Sequence, residues 1–287
     1  MDWLPSLFIF LAALLAACLL LAVPMVRRRS LIASSSPAEF DLEFENISFI
    51  TADGISLRGY WIPFPGSSRA VILLHGFAGS LDPDLRYTPH LHDAGLNVLM
   101  FDFRAHGRSG GRITSLGALE TRDVRAAITW TRQKGCDRIG LLGFSMGGRA
   151  AIMAANSTPG VKAILSDGAP PRLVTAVTQN LCLRKIPLPI SWLAARMMLF
   201  GGSLITGSNL FTNDPLFVAQ DLTGIPTLFF HGEKDRYTTL AQMCIMVESA
   251  GKHAGLWLVP EARHRDIEKT RPDEYIKKLI AFFTENL

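Results

Sequence analysis

A series of short apolar runs, separated by stretches with helical periodicity, limits what this chain can fold into. Each run is nearly continuous in aliphatic and aromatic residues, and all but the last, which ends at a proline, end at a glycine, an aspartate or a serine. Such runs are typical of strands buried on both faces of a parallel sheet, with active-site loops at the carboxyl ends of the strands. The runs lie at residues 70–76, 97–102, 138–145, 162–168, 226–232 and 256–260.

The region before the first of these runs predicts two further strands. Apolar residues alternate in one phase up to Phe44 and in the other phase from Ile47, which favours a bulged strand over residues 40–49. Asp53 and Gly54 then form a hairpin turn, and residues 55–64 return as the next strand. The sequence therefore predicts one large sheet with an antiparallel start.

The sequence Gly-Phe-Ser-Met-Gly at residues 143–147 carries the clearest chemical signal. A strand runs directly into it and a helix-forming run leaves it, so Ser145 occupies a sharp strand-to-helix turn. Such a turn lifts the serine Oγ out of the sheet, and Gly143 and Gly147 lack the Cβ atoms that would clash there. The alternative interpretation is an ordinary glycine-rich turn with an incidental serine.

With two upstream segments, this turn resembles the α/β-hydrolase superfamily over residues 40–287. The segments are His-Gly-Phe at residues 75–77 and Asp-Phe-Arg-Ala-His-Gly-Arg-Ser at residues 102–109, where Ala105 replaces the usual glycine. The chain is similar to the serine aminopeptidase and monoacylglycerol-lipase-like branch. The resemblance implies an α/β fold with a mostly parallel eight-stranded sheet, helices on both faces and a helical lid after the sixth strand.

The resemblance also implies the roles of individual residues. Ser145 is the nucleophile, and the backbone N–H groups of Phe77 and Met146 form the oxyanion hole. No metal and no organic cofactor is implied. Asp102, His106 and His75 belong to segments that are architectural in relatives, and they stay outside the predicted catalytic set.

A serine nucleophile needs a base and an orienting acid, and the resemblance implies the chain order Ser, Asp, His for the three residues. Asp235 follows the strand at residues 226–232 and is the predicted acid, and His264 follows the last strand and is the predicted base. Asp167, at the end of the sixth strand, is the alternative acid. His253 precedes the last strand and is the weaker alternative base.

Residues 169–213 form a segment that is too long for a plain crossover and that resembles the variable lid of the family. Its apolar residues include Trp192, Met197 and Phe200, the candidates for binding an acyl substrate. We expect either an apolar acyl pocket, resting on a bilayer, or a helical hairpin packed on the core.

Residues 3–26 carry no charged side chain and are long enough to cross a bilayer as a helix. Arginines follow at once at residues 27–29, which predicts a single-pass anchor with a cytoplasmic catalytic domain. A cleaved signal peptide and a lipoprotein with a lipid on Cys18 are the alternatives. The predicted organisation is an anchor at residues 1–29, a linker at residues 30–38 and a hydrolase domain at residues 39–287.

Composition narrows the function further. The net charge of +4 is concentrated in the two apolar segments, because residues 1–29 contribute +2 and residues 169–213 carry four cations and no acid. This distribution favours a membrane partner and gives no sign of nucleic-acid binding. The four cysteines contain no CxxC pair, so neither a disulfide framework nor a zinc site is indicated.

The sequence therefore predicts a membrane-anchored serine hydrolase that cleaves a carboxylic ester of a small acyl substrate through an acyl-enzyme. A serine peptidase or amidase of the aminopeptidase type, and transfer of the acyl group to an acceptor other than water, use the same residues. A non-catalytic binding protein on the same fold is the alternative of a different class. The oligomeric state stays open.

Overall fold

One eight-stranded sheet runs through the computed structural model, which describes residues 3–29, 35–77, 79–155 and 158–287. The strands are β1 (Glu45–Ile50), β2 (Ser56–Ile62), β3 (Arg69–Leu74), β4 (Asn97–Asp102), β5 (Arg138–Phe144), β6 (Val161–Asp167), β7 (Thr227–Gly232) and β8 (Ala254–Val259). Their order is β1-β2-β4-β3-β5-β6-β7-β8. β2 runs opposite to both of its neighbours and the other neighbouring pairs are parallel, which confirms the predicted topology.

The central strands are the apolar runs of the sequence. All six residues of β4 are buried, and so are the residues of β5 after Arg138. Because both faces of these strands are covered by helices, neither strand alternates between apolar and polar residues.

The first strand is shorter than the alternation over residues 40–49 predicts. A 3₁₀ turn spans Pro37–Phe40, and Asp41 ends it in the left-handed region at φ 55°. The proline favours the turn geometry at its first position. Leu42 and Phe44 therefore pack against the core outside the ladder, and strand pairing begins at Glu45.

Helices cover both faces of the sheet. α3, α4 and α8 contribute to the core on one face, and α2 and α10 pack on the other. The helices are α1 (Trp3–Val26), α2 (Thr88–Asp93), α3 (Glu120–Gln133), α4 (Met146–Ala155), α5 (Leu173–Leu183), α6 (Leu188–Thr206), α7 (Pro215–Val218), α8 (Leu240–Ala250), α9 (Ile267–Thr270) and α10 (Pro272–Asn286).

A third, smaller core lies between α1, α5 and α6. Met25 and Val26 from the end of α1 pack there against Leu173 of α5 and Leu199 of α6. The lid predicted after the sixth strand is thus a helical hairpin, formed by α5 and α6, that packs against the N-terminal helix α1. Part of the predicted linker, residues 30–34, lies outside the described residues.

The chain leaving α1 is tied directly to the loop that follows β4. The Arg28 guanidinium donates hydrogen bonds to the carbonyl oxygens of Ser109 and Gly111 at 2.7 and 2.9 Å. The Arg29 N–H donates to the carbonyl oxygen of Ala105 at 2.7 Å. The end of α1 is therefore held against the loop that follows β4.

Candidate active site

Ser145 lies between the end of β5 and the start of α4, at the carboxyl edge of the sheet. Its φ is 51°, in the left-handed region that non-glycine residues rarely adopt, and its N–H donates to the Asp167 carbonyl at 2.8 Å. A Cβ on Gly147 would lie 1.9 Å from the Leu74 carbonyl oxygen, so only glycine fits where the turn passes β3. These constraints hold the serine hydroxyl outside the sheet.

The structure brings Ser145, His264 and Asp235 together from three separate loops. The distance from Ser145 Oγ to His264 Nε2 is 3.1 Å, and that from His264 Nδ1 to Asp235 Oδ2 is 2.7 Å. With the proton on Nδ1, the imidazole donates to the carboxylate and its Nε2 accepts from the serine hydroxyl. The series has the geometry that activates a serine nucleophile.

Backbone hydrogen bonds fix the Asp235 carboxylate. Its Oδ1 accepts from the N–H groups of Tyr237 at 2.7 Å and Thr238 at 3.2 Å, which leaves Oδ2 for the imidazole. The side chain is 1% exposed, whereas that of His264 is 20% exposed. The Asp235 carboxylate is therefore enclosed and oriented, while the His264 imidazole faces the cavity.

The side chains of the two alternative residues, Asp167 and His253, are not part of this series. The Asp167 carboxylate accepts from Arg265 Nη1 at 3.0 Å and from the Tyr275 hydroxyl at 2.9 Å. Asp167 thus anchors the residue that follows His264 in the chain. His253 directly precedes β8, at the opposite end of that strand from His264.

Phe77 and Met146 both line the cavity into which Ser145 opens. Met146 is the first residue of α4, so its N–H has no acceptor within the helix, and the helix N-terminus favours negative charge. This is the environment that an oxyanion requires.

The histidine of the upstream segment is part of the scaffold. His75 is buried; its Nε2 accepts from the Phe103 N–H at 2.9 Å and its Nδ1 donates to the Gly76 carbonyl at 2.8 Å. Burial lowers the pKa of His75 to about 3, which keeps the ring neutral, and also lowers the pKa of the buried His231.

The other two residues of the upstream segments are also engaged within the fold. The Asp102 carboxylate accepts from the N–H groups of Leu81 and Arg108 at 3.0 and 2.9 Å. His106 is buried with its Nδ1 2.9 Å from the Arg104 carbonyl oxygen. Neither side chain is hydrogen-bonded to the three residues at Ser145.

A cavity of about 370 Å³ lies beside Ser145, His264 and Tyr237. Its walls are mostly apolar and come from α5, from α6 and from the end of α1. Trp192, Met197 and Phe200, the predicted lid contacts, are not among its lining residues; the Trp192 and Phe200 side chains are about half exposed. The lining residues of the walls include Pro24, Met25, Arg29, Leu173, Ala176, Val177, Asn180, Leu181, Arg184 and Met198.

The prediction that Met197 contacts the substrate pocket is therefore wrong by one position along α6. Met198 faces the cavity in place of Met197, because neighbouring residues of a helix point about 100° apart. The contribution of α1 to the wall was also not predicted, since nothing local in the sequence places residues 24–29 against α5.

Arg149 is a functional residue that sequence reasoning missed. It is buried on α4, where its guanidinium donates to the carbonyl oxygens of Pro170 and Asn213 and pairs with Asp214 at 3.0 Å. It thus fastens both ends of the lid to the helix that follows Ser145. An arginine inside an otherwise apolar helix is the signal that points to such a role.

Tyr237 is a second residue that the sequence did not single out. Its ring packs against the His264 imidazole with centroids 4.8 Å apart, and its N–H holds Asp235. The tyrosine therefore contacts the His264 ring and holds the Asp235 carboxylate.

Comparisons with known proteins agree with this architecture. A family model described as alpha/beta hydrolase fold matches residues 69–197. The Pyrococcus furiosus esterase Pf2001 has a similar structure, with a TM-score of 0.77 and 25% identity, covering 91% of this chain and 97% of that one. These matches support the α/β-hydrolase superfamily, and the fold supports a hydrolase.

Two bacterial proteins are similar over most of their sequences. The uncharacterized protein YqkD of Bacillus subtilis (strain 168) is 27% identical over 256 residues, covering 85% of this chain and 81% of that protein. The uncharacterized protein YfhR of Escherichia coli (strain K12) is 25% identical over 254 residues, with the same two shares.

Proposed function

We propose that this protein is a membrane-anchored serine esterase that cleaves carboxylic esters of acyl substrates. The hydrogen-bonded series Ser145, His264 and Asp235, opening into a largely apolar cavity, carries the proposal. The likeness to an esterase over nearly the whole chain supports ester hydrolysis.

Catalysis begins when Ser145 Oγ attacks the ester carbonyl and His264 Nε2 takes the hydroxyl proton. The tetrahedral oxyanion accepts hydrogen bonds from the N–H groups of Phe77 and Met146. His264 then gives the proton to the departing alkoxide, leaving an acyl-serine. A water molecule, deprotonated by the same imidazole, attacks the acyl carbon. The imidazolium then returns the proton to Ser145 Oγ as the acyl–oxygen bond breaks, which releases the carboxylic acid and restores the free serine. Asp235 holds the Nδ1 proton and stabilises the imidazolium in both halves.

The membrane attachment rests on the apolar helix α1, which meets the length and composition of a spanning helix. The proposed organisation is an anchor at residues 1–29, a linker at 30–38 and a hydrolase domain at 39–287 with its lid at 169–213. The arginines at residues 27–29 favour a cytoplasmic catalytic domain. Digestion of that domain by protease added to intact cells would contradict this orientation.

The test is a substrate panel applied to the purified full chain in detergent. We expect hydrolysis of p-nitrophenyl acyl esters by the wild type, none by Ser145→Ala, and little cleavage of aminoacyl p-nitroanilides. Cleavage of the anilides in preference to the esters would replace the esterase with an aminopeptidase. A Ser145→Ala variant that keeps both activities would contradict the proposal as a whole.

A further inference from the structure

The lid helix α6 packs along the N-terminal helix α1, and the two come into backbone contact. A Cβ on Gly201 of α6 would lie 2.1 Å from the Cys18 carbonyl oxygen. A Cβ on the next residue, Gly202, would lie 2.9 Å from the Met25 side chain. Small residues at such positions let helix backbones approach closely. The lid and the anchor are therefore one packed unit at this crossing.

The length of α1 places this crossing within the bilayer if α1 spans it. At about 1.5 Å per residue, residues 3–17 rise about 22 Å, which is less than a hydrocarbon core of about 30 Å. The remaining distance of about 8 Å has to be crossed by residues 18–23, where α6 lies against α1. A spanning α1 thus carries part of α6 into the adjoining leaflet.

The outer surface of α6 suits that position. Six large apolar side chains of this helix are between 48 and 59% exposed, a patch that a water-facing helix rarely shows. The side chains of α1 from Leu4 to Ala16 are exposed as well. The six residues are Leu188, Ile190, Trp192, Leu193, Phe200 and Leu204.

The charges of the lid also suit a bilayer with anionic headgroups. Residues 169–213 contain four cations and no acid. Arg184 and Lys185 lie at the α5–α6 turn, and Arg196 lies over the Trp192 ring with its guanidinium carbon 3.5 Å from the centroid. Arginine and tryptophan are common at membrane interfaces, and juxtamembrane cations are attracted to anionic lipid.

We propose that α6 inserts into the leaflet beside α1, so that the cavity at Ser145 takes its acyl chain from the lipid rather than from water. One side of the cavity is lined by Pro24 and Met25 of α1, Met198 of α6 and residues of α5. On that side, an acyl chain in the leaflet is separated from the site by α1, α5 and α6. This proposal rests on the membrane-anchored esterase proposed above and names its substrate class as membrane-partitioned long-chain esters.

Depth-dependent quenching tests the insertion. An environment-sensitive fluorophore is attached to the full chain at Leu204→Cys, in a background with Cys182→Ser and Cys244→Ser, and the protein is reconstituted into phosphatidylcholine–phosphatidylglycerol vesicles. The matched control is Ile245→Cys on α8, since Leu204 and Ile245 are 53% and 51% exposed. We expect brominated lipids to quench the Leu204 fluorophore and not the Ile245 one.

A second pair of variants tests the route of the substrate. Because a carboxylate is costly in the bilayer, Leu193→Glu with Leu204→Glu should lower hydrolysis of vesicle-borne 4-methylumbelliferyl oleate about tenfold. Hydrolysis of p-nitrophenyl acetate in water should stay within about twofold, since neither side chain lines the cavity. Ile245→Glu should change neither rate.

The outcomes separate this proposal from the esterase on which it rests. A chain that stays with the vesicles and hydrolyses p-nitrophenyl acetate, but whose Leu204 fluorophore is not quenched, overturns the insertion and leaves the esterase standing. An equal fall for both substrates in the double variant also overturns it. A wild type without vesicle association or without esterase activity contradicts the proposed function itself.

Discussion

The Asp235→Asn substitution tests how the acid controls the base. In the wild type, two backbone N–H groups hold Oδ1, so Oδ2 accepts from His264 Nδ1 at 2.7 Å. An asparagine at this position keeps its carbonyl oxygen on the two N–H groups, because they can only donate. Its amide NH₂ then faces Nδ1, which must accept and therefore loses its proton.

The proton consequently moves to His264 Nε2, which can no longer accept the hydroxyl hydrogen of Ser145. Such a tautomer error in a serine triad lowers kcat by about 10⁴, or about 5.4 kcal/mol of transition-state stabilisation. The KM should change little, since Asp235 does not line the cavity.

The assay is the steady-state hydrolysis of p-nitrophenyl butyrate by the full chain in detergent, with thermal unfolding as the check on folding. Asp93→Asn is the control, because Asp93 is exposed on α2 and should keep its activity within about twofold. A folded Asp235→Asn variant that loses less than about tenfold in kcat would refute the tautomer argument.

Three other predictions concern the scaffold. Arg149→Met removes the close cation from the buried Asp214 carboxylate, which keeps the Leu173 N–H at 2.8 Å and, as its one remaining cation among the described residues, Arg172 Nε at 3.8 Å. The variant should lower the free energy of unfolding by about 3 kcal/mol, measured by denaturant titration. Gly147→Ala places a Cβ against backbone, and should abolish both esterase activity and fluorophosphonate labelling while circular dichroism reports how much of the fold survives. The pKa of His75 is depressed to about 3, so its contribution to stability is fully present above pH 6.5 and is lost as the pH falls. Lowering the pH from 7 to 5.5 should therefore reduce the free energy of unfolding by about 1 kcal/mol. His75→Asn should remove that share of the pH dependence, measured by chemical unfolding.

A specific result would contradict each of these three predictions. An Arg149→Met variant as stable as the wild type would show that the buried pair does not hold the lid. A Gly147→Ala variant with full activity would refute the close approach of α4 to β3. For His75, an unchanged pH slope in His75→Asn, or an equal change in a variant of the exposed His253, would place the acid sensitivity elsewhere.

The parts of the fold that the sequence predicted are those determined by local pattern. The buried strands and the turn at Ser145 follow from neighbouring residues, because apolar runs and paired glycines act within a few positions. The first strand was predicted too long for the same reason, since alternation over residues 40–49 carries no information about where pairing starts.

The parts that were missed depend on contacts distant in sequence. Arg149 and Asp214 are 65 residues apart, and no local signal joins them. Asp235 was predicted ahead of Asp167 from its place after β7, whereas its contact with His264 depends on where the loop after β8 carries that histidine. The packing of α1 on α6 likewise depends on a contact between two apolar helices. The sequence of either helix is as compatible with lipid around it as with packing against the other helix.

The arginines after α1 illustrate how one pattern serves two purposes. From the sequence, these arginines predict the orientation of α1 in the membrane. In the structure, Arg28 and Arg29 are half-buried and hydrogen-bonded to the loop after β4, whereas Arg27 is exposed. A substitution of Arg28 therefore affects the docking of α1 as well as its orientation.

The most direct test of the central claim is covalent labelling with a fluorophosphonate probe. The probe reacts with an activated serine next to an oxyanion hole and needs no knowledge of the natural substrate. We expect the wild-type chain to be labelled in membrane fractions and the labelling to disappear in both Ser145→Ala and His264→Ala. A folded wild type that resists the probe in both detergent and lipid, or a Ser145→Ala variant that still reacts, would contradict the assignment of Ser145 as the nucleophile.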